Sequence, residues 1–266
     1  MDETKLLLKE IRENLNLLEA VLYKPDPLAP DTAPAVRTKY GYIKDLPDQR
    51  DYQFTQIAKK ITLPASVDLR PTCSPVEDQG DLGSCTANAL VGALEFLEIK
   101  DKLPATDMSR LFVYYNERVI EHTVRSDSGA MIRDGIKTLA SQGCCSEAEW
   151  PYNIDAFITR PITRCYMDAL KHIIQSYYRI TTLADMKNCL AAGYPFVIGF
   201  TVYSSFESSQ VTRTGVVPMP GQHESVLGGH AVLAVGYDDH IQRFLMRNSW
   251  GTGWGMKGYF TIPYEA

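Results

Sequence analysis

Cys85 follows Gly83 and Ser84 and opens a run, Cys85 to Lys100, whose Leu90, Leu94 and Leu97 recur on one helical face. A thiol in the first turn of a helix lies beside backbone N–H groups that have no intrahelical acceptor and at the positive end of the helix dipole, and both favour thiolate. A thiolate nucleophile needs a base, and the base needs a third group to orient it. His230 stands in GGHAVLAVGY, where two glycines leave room beside the ring and small apolar residues make a rigid strand. Asn248 stands in RNSWGTGWG, on what the pattern marks as the next strand, so its amide can accept from one imidazole nitrogen while Trp250 screens that bond from water. Singly, a buried cysteine, a strand histidine and a turn asparagine are ordinary structural residues. Adjacent strands would bring the last two together, opposite a helix that begins at the first.

The elements needed to position them follow from periodicity. Leu111, Val113, Tyr114 and Val119 mark a second helix and Asp134 to Ser141 a third, so the first half is mainly helical. From about residue 177 the runs YPFVIGFTVY, GHAVLAVGYDD, IQRFLMRNSW and KGYFTIP are β-branched and aromatic, punctuated by Gly, Pro and Asp, and predict an antiparallel sheet or barrel. Asp238, Asp239 and His240 form the expected hairpin turn. Upstream, Leu8, Ile11, Leu15, Leu18 and Leu22 place an apolar seam on a helix over residues 4–23. KPDPLAPDTAP, with four prolines, then predicts an extended connector, and a tyrosine-rich stretch leads to a boundary near residue 61.

Three blocks, QGDLGSC, GHAVLAVGY and NSWGTGWG, occur in the order and spacing of the active-site blocks of the papain-like cysteine peptidases, which this chain resembles over residues 62 to about 261. LPASVDLR and the WPY at Trp150 to Tyr152 also have counterparts there. YGYIKDLPDQRDY, DQGDLGSCTANA and EWPY further resemble the bacterial branch that includes xylellain. The resemblance implies an α+β papain-like fold: a helical subdomain (62–176) packed on an antiparallel β-barrel-like one (177–266), with the active-site cleft between them. It makes Cys85 the nucleophile, His230 the general base and then acid, Asn248 the orienting residue, and Gln79 a side-chain donor to the oxyanion beside the Cys85 N–H. It places substrate backbone on Gly129 and Ala130, an apolar specificity pocket on Met131, Ile132, Gly199, Gly229 and Ala231, and Trp250 over the Asn248–His230 bond. Residues 1–61 fall where such enzymes carry an inhibitory pro-region, which would make the chain a zymogen whose N-terminal segment docks on its own peptidase domain, with Tyr40 to Tyr52 nearest the active site. A stabilising clamp packed away from the cleft is the other role open to that segment. The family's usual disulfide beside the nucleophile cannot form, because Leu82 stands three residues before Cys85.

The expected reaction is hydrolysis of peptide bonds in polypeptides, as an endopeptidase, with no cofactor and no metal. An acyl transferase or deamidase using the same centre, and an inactive homologue acting as a binding module, are the alternatives. With 27 Lys and Arg against 32 Asp and Glu, and no dense basic run, nucleic acid is excluded as a partner. No stretch approaches the roughly 20 apolar residues of a membrane span. Met1 to Glu10 is interspersed with charge and holds no signal-peptide core. Family relatives with short leaders are commonly exported, so a secreted or periplasmic location is expected. Cys73, Cys144, Cys145, Cys165 and Cys189 form no CxxC and are expected to be small buried apolar residues, with Cys165 and the Cys144–Cys145 pair able to bridge in an oxidising compartment.

Overall fold

The computed structural model describes residues 40–57 and 61–265. Contacts divide the chain between Ala35 and Val36, and every described residue belongs to the second unit. The expected helix over 4–23 and the proline-rich connector lie outside the described residues.

At the centre is α1, Cys85–Lys100, flanked in sequence by the short strands β1 (Tyr42–Ile43) and β2 (Ser66–Asp68) and by α2 (Arg110–Ile120). Twelve of its residues are buried, from Cys85 to Glu98, because it is sandwiched: α2 and α3 (Ile132–Ser141) cover one side and a β-sheet the other. Ser109 starts α2 by accepting from the Phe112 N–H at 3.1 Å. The short strand β3, Ala130–Met131, runs directly into α3, and a further helix, α4, spans Thr163–Ala169. Leu90, Leu94, Leu111, Phe112 and Leu139 fill the helical core.

The sheet is built on β5, Val226–Asp238, which pairs antiparallel with β4 (Phe196–Tyr203), β2 and β6 (Arg243–Arg247), and β6 pairs with β7 (Tyr259–Pro263). Phe196, Val202, Phe206, Val232, Phe244 and Phe260 form its core. The expected antiparallel sheet is present, but it does not close into a barrel. Beyond β7 the ladder continues only through Val217 N–H to Thr261 O and Thr261 N–H to Gly215 O, and among the described residues no strand returns to β4. Nor is the region after 177 β throughout. Helix α5, Leu183–Ala191, precedes the first strand of that region and is started by Thr182, whose hydroxyl accepts from Asp185 N–H; α6, Ser209–Thr214, ends at Gly215 with φ of 66°. Local capping and helix-forming residues override the surrounding β composition there.

Residues 40–57 lie across this unit. β1 pairs parallel with β3, Tyr42 opposite Ala130 and Ile43 opposite Met131. Asp51 accepts from Arg133 Nη2 at 2.6 Å and from Arg179 Nη1 at 2.9 Å, Asp45 accepts from Arg133 N–H at 2.9 Å, and Phe54 N–H donates to Arg179 O at 2.9 Å.

Candidate active site

The two cores meet at a small cluster of Cys85, Ala89 and Ala231, against which Tyr42, Ile132 and Val197 pack. Cys85 is the first residue of α1 and is fully buried. Its Sγ accepts from Ala231 N–H at 3.4 Å, so β5 delivers the residue next to His230 directly to the thiol. His230 is itself fully buried, and its Nε2 donates to Asn248 Oδ1 at 2.8 Å. Asn248 Oδ1 also accepts from Ser249 N–H at 2.9 Å, which fixes the amide. Asn248 lies just past the end of β6 rather than on it: its N–H bonds Gly258 O at 2.9 Å as the chain turns away from the sheet. Trp250 lies against the imidazole with ring centroids 4.9 Å apart and planes 31° apart.

Gln79 is fully buried beside the same strand end. Residues 77–79 run antiparallel to 249–251, with Gln79 N–H bonding Ser249 O at 2.8 Å and Gly251 N–H bonding Glu77 O at 3.0 Å. Gln79 Oε1 accepts from Ser249 Oγ at 2.6 Å, and one of its two amide hydrogens goes to Leu82 O at 2.8 Å.

The expected substrate-binding residues follow the course of Tyr40 to Ile43. Ala130 N–H donates to Gly41 O at 2.7 Å, and Met131 is the register partner of Ile43. A Cβ on Gly129, whose φ is 73°, would overlap Gly41 O. Tyr42 packs on the cluster of Cys85, Ala89 and Ala231, its ring fills the space that a side chain on Gly199 would take, and a Cβ on Gly229 would overlap Tyr42 O. On the far side of Cys85 the Tyr40 ring lies 6.3 Å from His230 and 6.1 Å from Trp250, with its hydroxyl on Glu207. Between them Gly41 crosses Gly83 so closely that any Cβ would overlap Gly83 O.

This cover changes the thiol. The position of Cys85 at a helix start predicts a thiolate, yet here burial pushes the thiol up to about 11, outweighing the N–H groups of Ala231, Gly41 and Thr86 that draw it down. Burial pushes the Cys73, Cys144, Cys145, Cys165 and Cys189 thiols up as well, and none of the six is in a disulfide. Among the described residues no group of three or more His, Cys, Asp or Glu is arranged to hold a metal ion, and no helix is long and apolar enough to cross a membrane.

Sequence reasoning assigned no role to Asp127, Tyr114 or Tyr152. Asp127 accepts from Gly83 N–H, and the Tyr152 hydroxyl donates to Gln79 O at 2.9 Å and lies 2.5 Å from Ser84 Oγ. The WPY motif and the acid two residues before Gly129 were the available signals. Neither has a periodicity that shows which loop it braces.

Residues 63–266 match the model of the family described as "Papain family cysteine protease". The chain is 42% identical over 257 residues to the uncharacterized peptidase C1-like protein L477 of Acanthamoeba polyphaga mimivirus, covering 86% of this chain and 83% of that one. It is 33% identical over 221 residues to cathepsin B-like CP3 of Giardia intestinalis, covering 75% and 69%. Among solved structures it is similar to xylellain, a cysteine protease from Xylella fastidiosa, at 46% identity and a TM-score of 0.80, over 88% of this chain and 93% of that one. With a helical layer, an antiparallel sheet and a buried cysteine at the start of the central helix, the chain belongs to the papain family of cysteine proteases and is a papain-like cysteine peptidase.

Proposed function

We propose that the chain is an endopeptidase that works through Cys85, His230 and Asn248 and is restrained by its own residues 40–43. The observation that carries the catalytic half is the 3.4 Å bond from Ala231 N–H to Cys85 Sγ, next to a His230 already anchored to Asn248. With the cleft open, the Cys85 proton passes to His230, whose Nδ1 lies opposite the Asn248 bond, and the thiolate adds to the substrate carbonyl carbon. The developing oxyanion is held by the Cys85 N–H, at the start of α1, and by the side-chain amide of Gln79. His230 then protonates the leaving amine, and water adds to the thioester, releasing the acid and restoring the thiol.

A polypeptide lies on both sides of Cys85 when residues 40–43 occupy the cleft, which supports cleavage within chains rather than at their ends. Direction explains why this segment would inhibit rather than be cut. A substrate runs from the apolar pocket, past Cys85, to the leaving-group side at His230. The segment runs the other way, from Tyr40 beside His230 to Tyr42 in the pocket, and so β1 is parallel to β3. The pocket set Met131, Ile132, Gly199, Gly229 and Ala231 carries no charge, so an apolar residue two positions before the cleaved bond is favoured and a buried Arg or Glu would lose hydration without a partner. The test compares the full chain with one beginning at Ile61 on small peptides. Faster cleavage by the shorter chain, with apolar preference at that position, supports the reading. Equal rates leave the segment a clamp only, and products carrying an added amine in place of water indicate transfer.

A further inference from the structure

Asp127 is 7% exposed, and it lies between the loop that presents the nucleophile and the strand edge on which Gly41 is held. Its carboxylate accepts from Gly83 N–H at 3.0 Å and 3.1 Å, two residues before Cys85, and from the Tyr114 hydroxyl at 2.5 Å. Tyr114, fully buried, has given its one proton to Asp127 and accepts in turn from Gly129 N–H at 3.2 Å, one residue before the Ala130 N–H that bonds Gly41 O. Arg118 holds this connection from behind. Its guanidinium lies 4.0 Å from the Tyr114 ring centroid and donates to Val124 O at 2.8 Å and Ser126 O at 3.2 Å, so the chain reaching Asp127 is tethered.

Burying a carboxylate is unfavourable unless several donors converge on it, and charge-assisted bonds of this kind are the strong ones. Packing alone would be met by a neutral side chain. What the carboxylate adds is a rigid link, Gly83 to Asp127 to Tyr114 to Gly129, between two segments that are far apart in sequence.

We infer that Asp127 is a positioning residue: through Gly83 it sets the place of the Cys85 sulfur and N–H, and through Tyr114 and Gly129 it sets the strand that holds substrate backbone. This rests on the peptidase reading above. The two branches have separable consequences. Displacing the Gly83 loop misaligns sulfur and oxyanion donor, which act in the chemical step. Loosening Gly129 weakens the hold on substrate, which acts in binding.

The test uses the full chain, with wild type, Asp127→Asn, Asp127→Ala and Tyr114→Phe assayed on one small peptide amide, each rate divided by sites titrated with an epoxide thiol inhibitor. Asn keeps an acceptor for one donor but turns an NH2 toward the other. A fall of about tenfold or more in kcat per titrated site, with little change in KM, is expected for Asp127→Asn, because small misplacements of reacting groups carry costs of that order or larger. Asp127→Ala is expected to fall further, so that the conservative variant is a partial rescue. Tyr114→Phe keeps the Gly83 bond and is expected to raise KM several-fold with kcat nearly retained. Unchanged kcat per titrated site in Asp127→Asn, or a loss wholly accounted for by fewer titrated sites, overturns the inference. If the Asp127 variants do not fold, unchanged KM in Tyr114→Phe overturns it. A wild-type chain that neither turns over nor reacts with the inhibitor, even after its first 60 residues are removed, overturns the peptidase reading instead.

Discussion

Two opposed influences meet on the Cys85 sulfur. The start of α1 and the N–H groups of Ala231, Gly41 and Thr86 favour the anion, whereas burial disfavours it and prevails, at about 11. A thiol whose value in the folded state is raised keeps its proton, and the closed arrangement is favoured below the ordinary thiol range and loses that advantage as pH climbs toward the raised value. Alkylation of Cys85 in the full chain should therefore show its inflection well above the ordinary thiol value, and in a chain without residues 1–60 it should move down by several units. An inflection at the same low pH in both would mean that Gly41 does not control the thiol. Asn248 bonds the imidazole of the same candidate site. Asn248→Ala leaves the Nε2–H of a fully buried His230 without its acceptor, and kcat should fall by about 10², within the range that general acid-base catalysis contributes, with KM little altered. Steady-state kinetics decides, and an undiminished kcat would make Asn248 a structural residue. That Cys85, His230, Asn248 and Gln79 lie in one region was legible because each sits in a short motif whose residue types have a chemical reason. Asp127 was not, because a lone acid declares its partners only once Gly83 and Tyr114 are in place.

At the scale of elements, the proposed restraint rests on β1. Gly41 is the one residue type that passes Gly83 without overlap, so Gly41→Ala should displace β1 and bring the full chain toward the rate of the shorter one, measured on a small peptide. A rate equal to wild type would show that the segment does not block the cleft. The charged latch behind β1 gives a pH expectation. Desolvation raises the Asp51 carboxyl, but its bonds to Arg133 and Arg179 outweigh that and hold it below the usual carboxylate value. A depressed carboxylate stabilises the folded arrangement above the ordinary carboxylate range and ceases to as pH falls through the lowered value. Hydrogen exchange over residues 40–57 should therefore stay slow from pH 7 to about 5 and quicken only below about pH 4. Quickening at pH 6 would point to a different latch. The helices α1 to α3 and strands β4 to β7 were legible from periodicity, whereas α5 was hidden inside a β-rich half, and the missing closure of the sheet depends on what lies beside β7, which no local pattern records.

Among the described residues two cores meet at the cluster of Cys85, Ala89 and Ala231, and on the proposed reading stability and chemistry are separable. Leu111 is fully buried in the helical core away from the cleft, so Leu111→Ala should cost about 2–5 kcal/mol by the lost contacts and the cavity left, with kcat per folded molecule retained. Denaturant titration and active-site titration together check this. Conversely, changes at the seam should affect turnover more than folding. The most direct test of the central claim is cleavage of a defined peptide by the chain beginning at Ile61 in water enriched in oxygen-18, for the unchanged sequence and for Cys85→Ala. Thioester hydrolysis at Cys85 predicts one heavy oxygen in each newly formed carboxyl terminus and no cleavage by the variant; undiminished cleavage by Cys85→Ala, or new termini without the label, would contradict it.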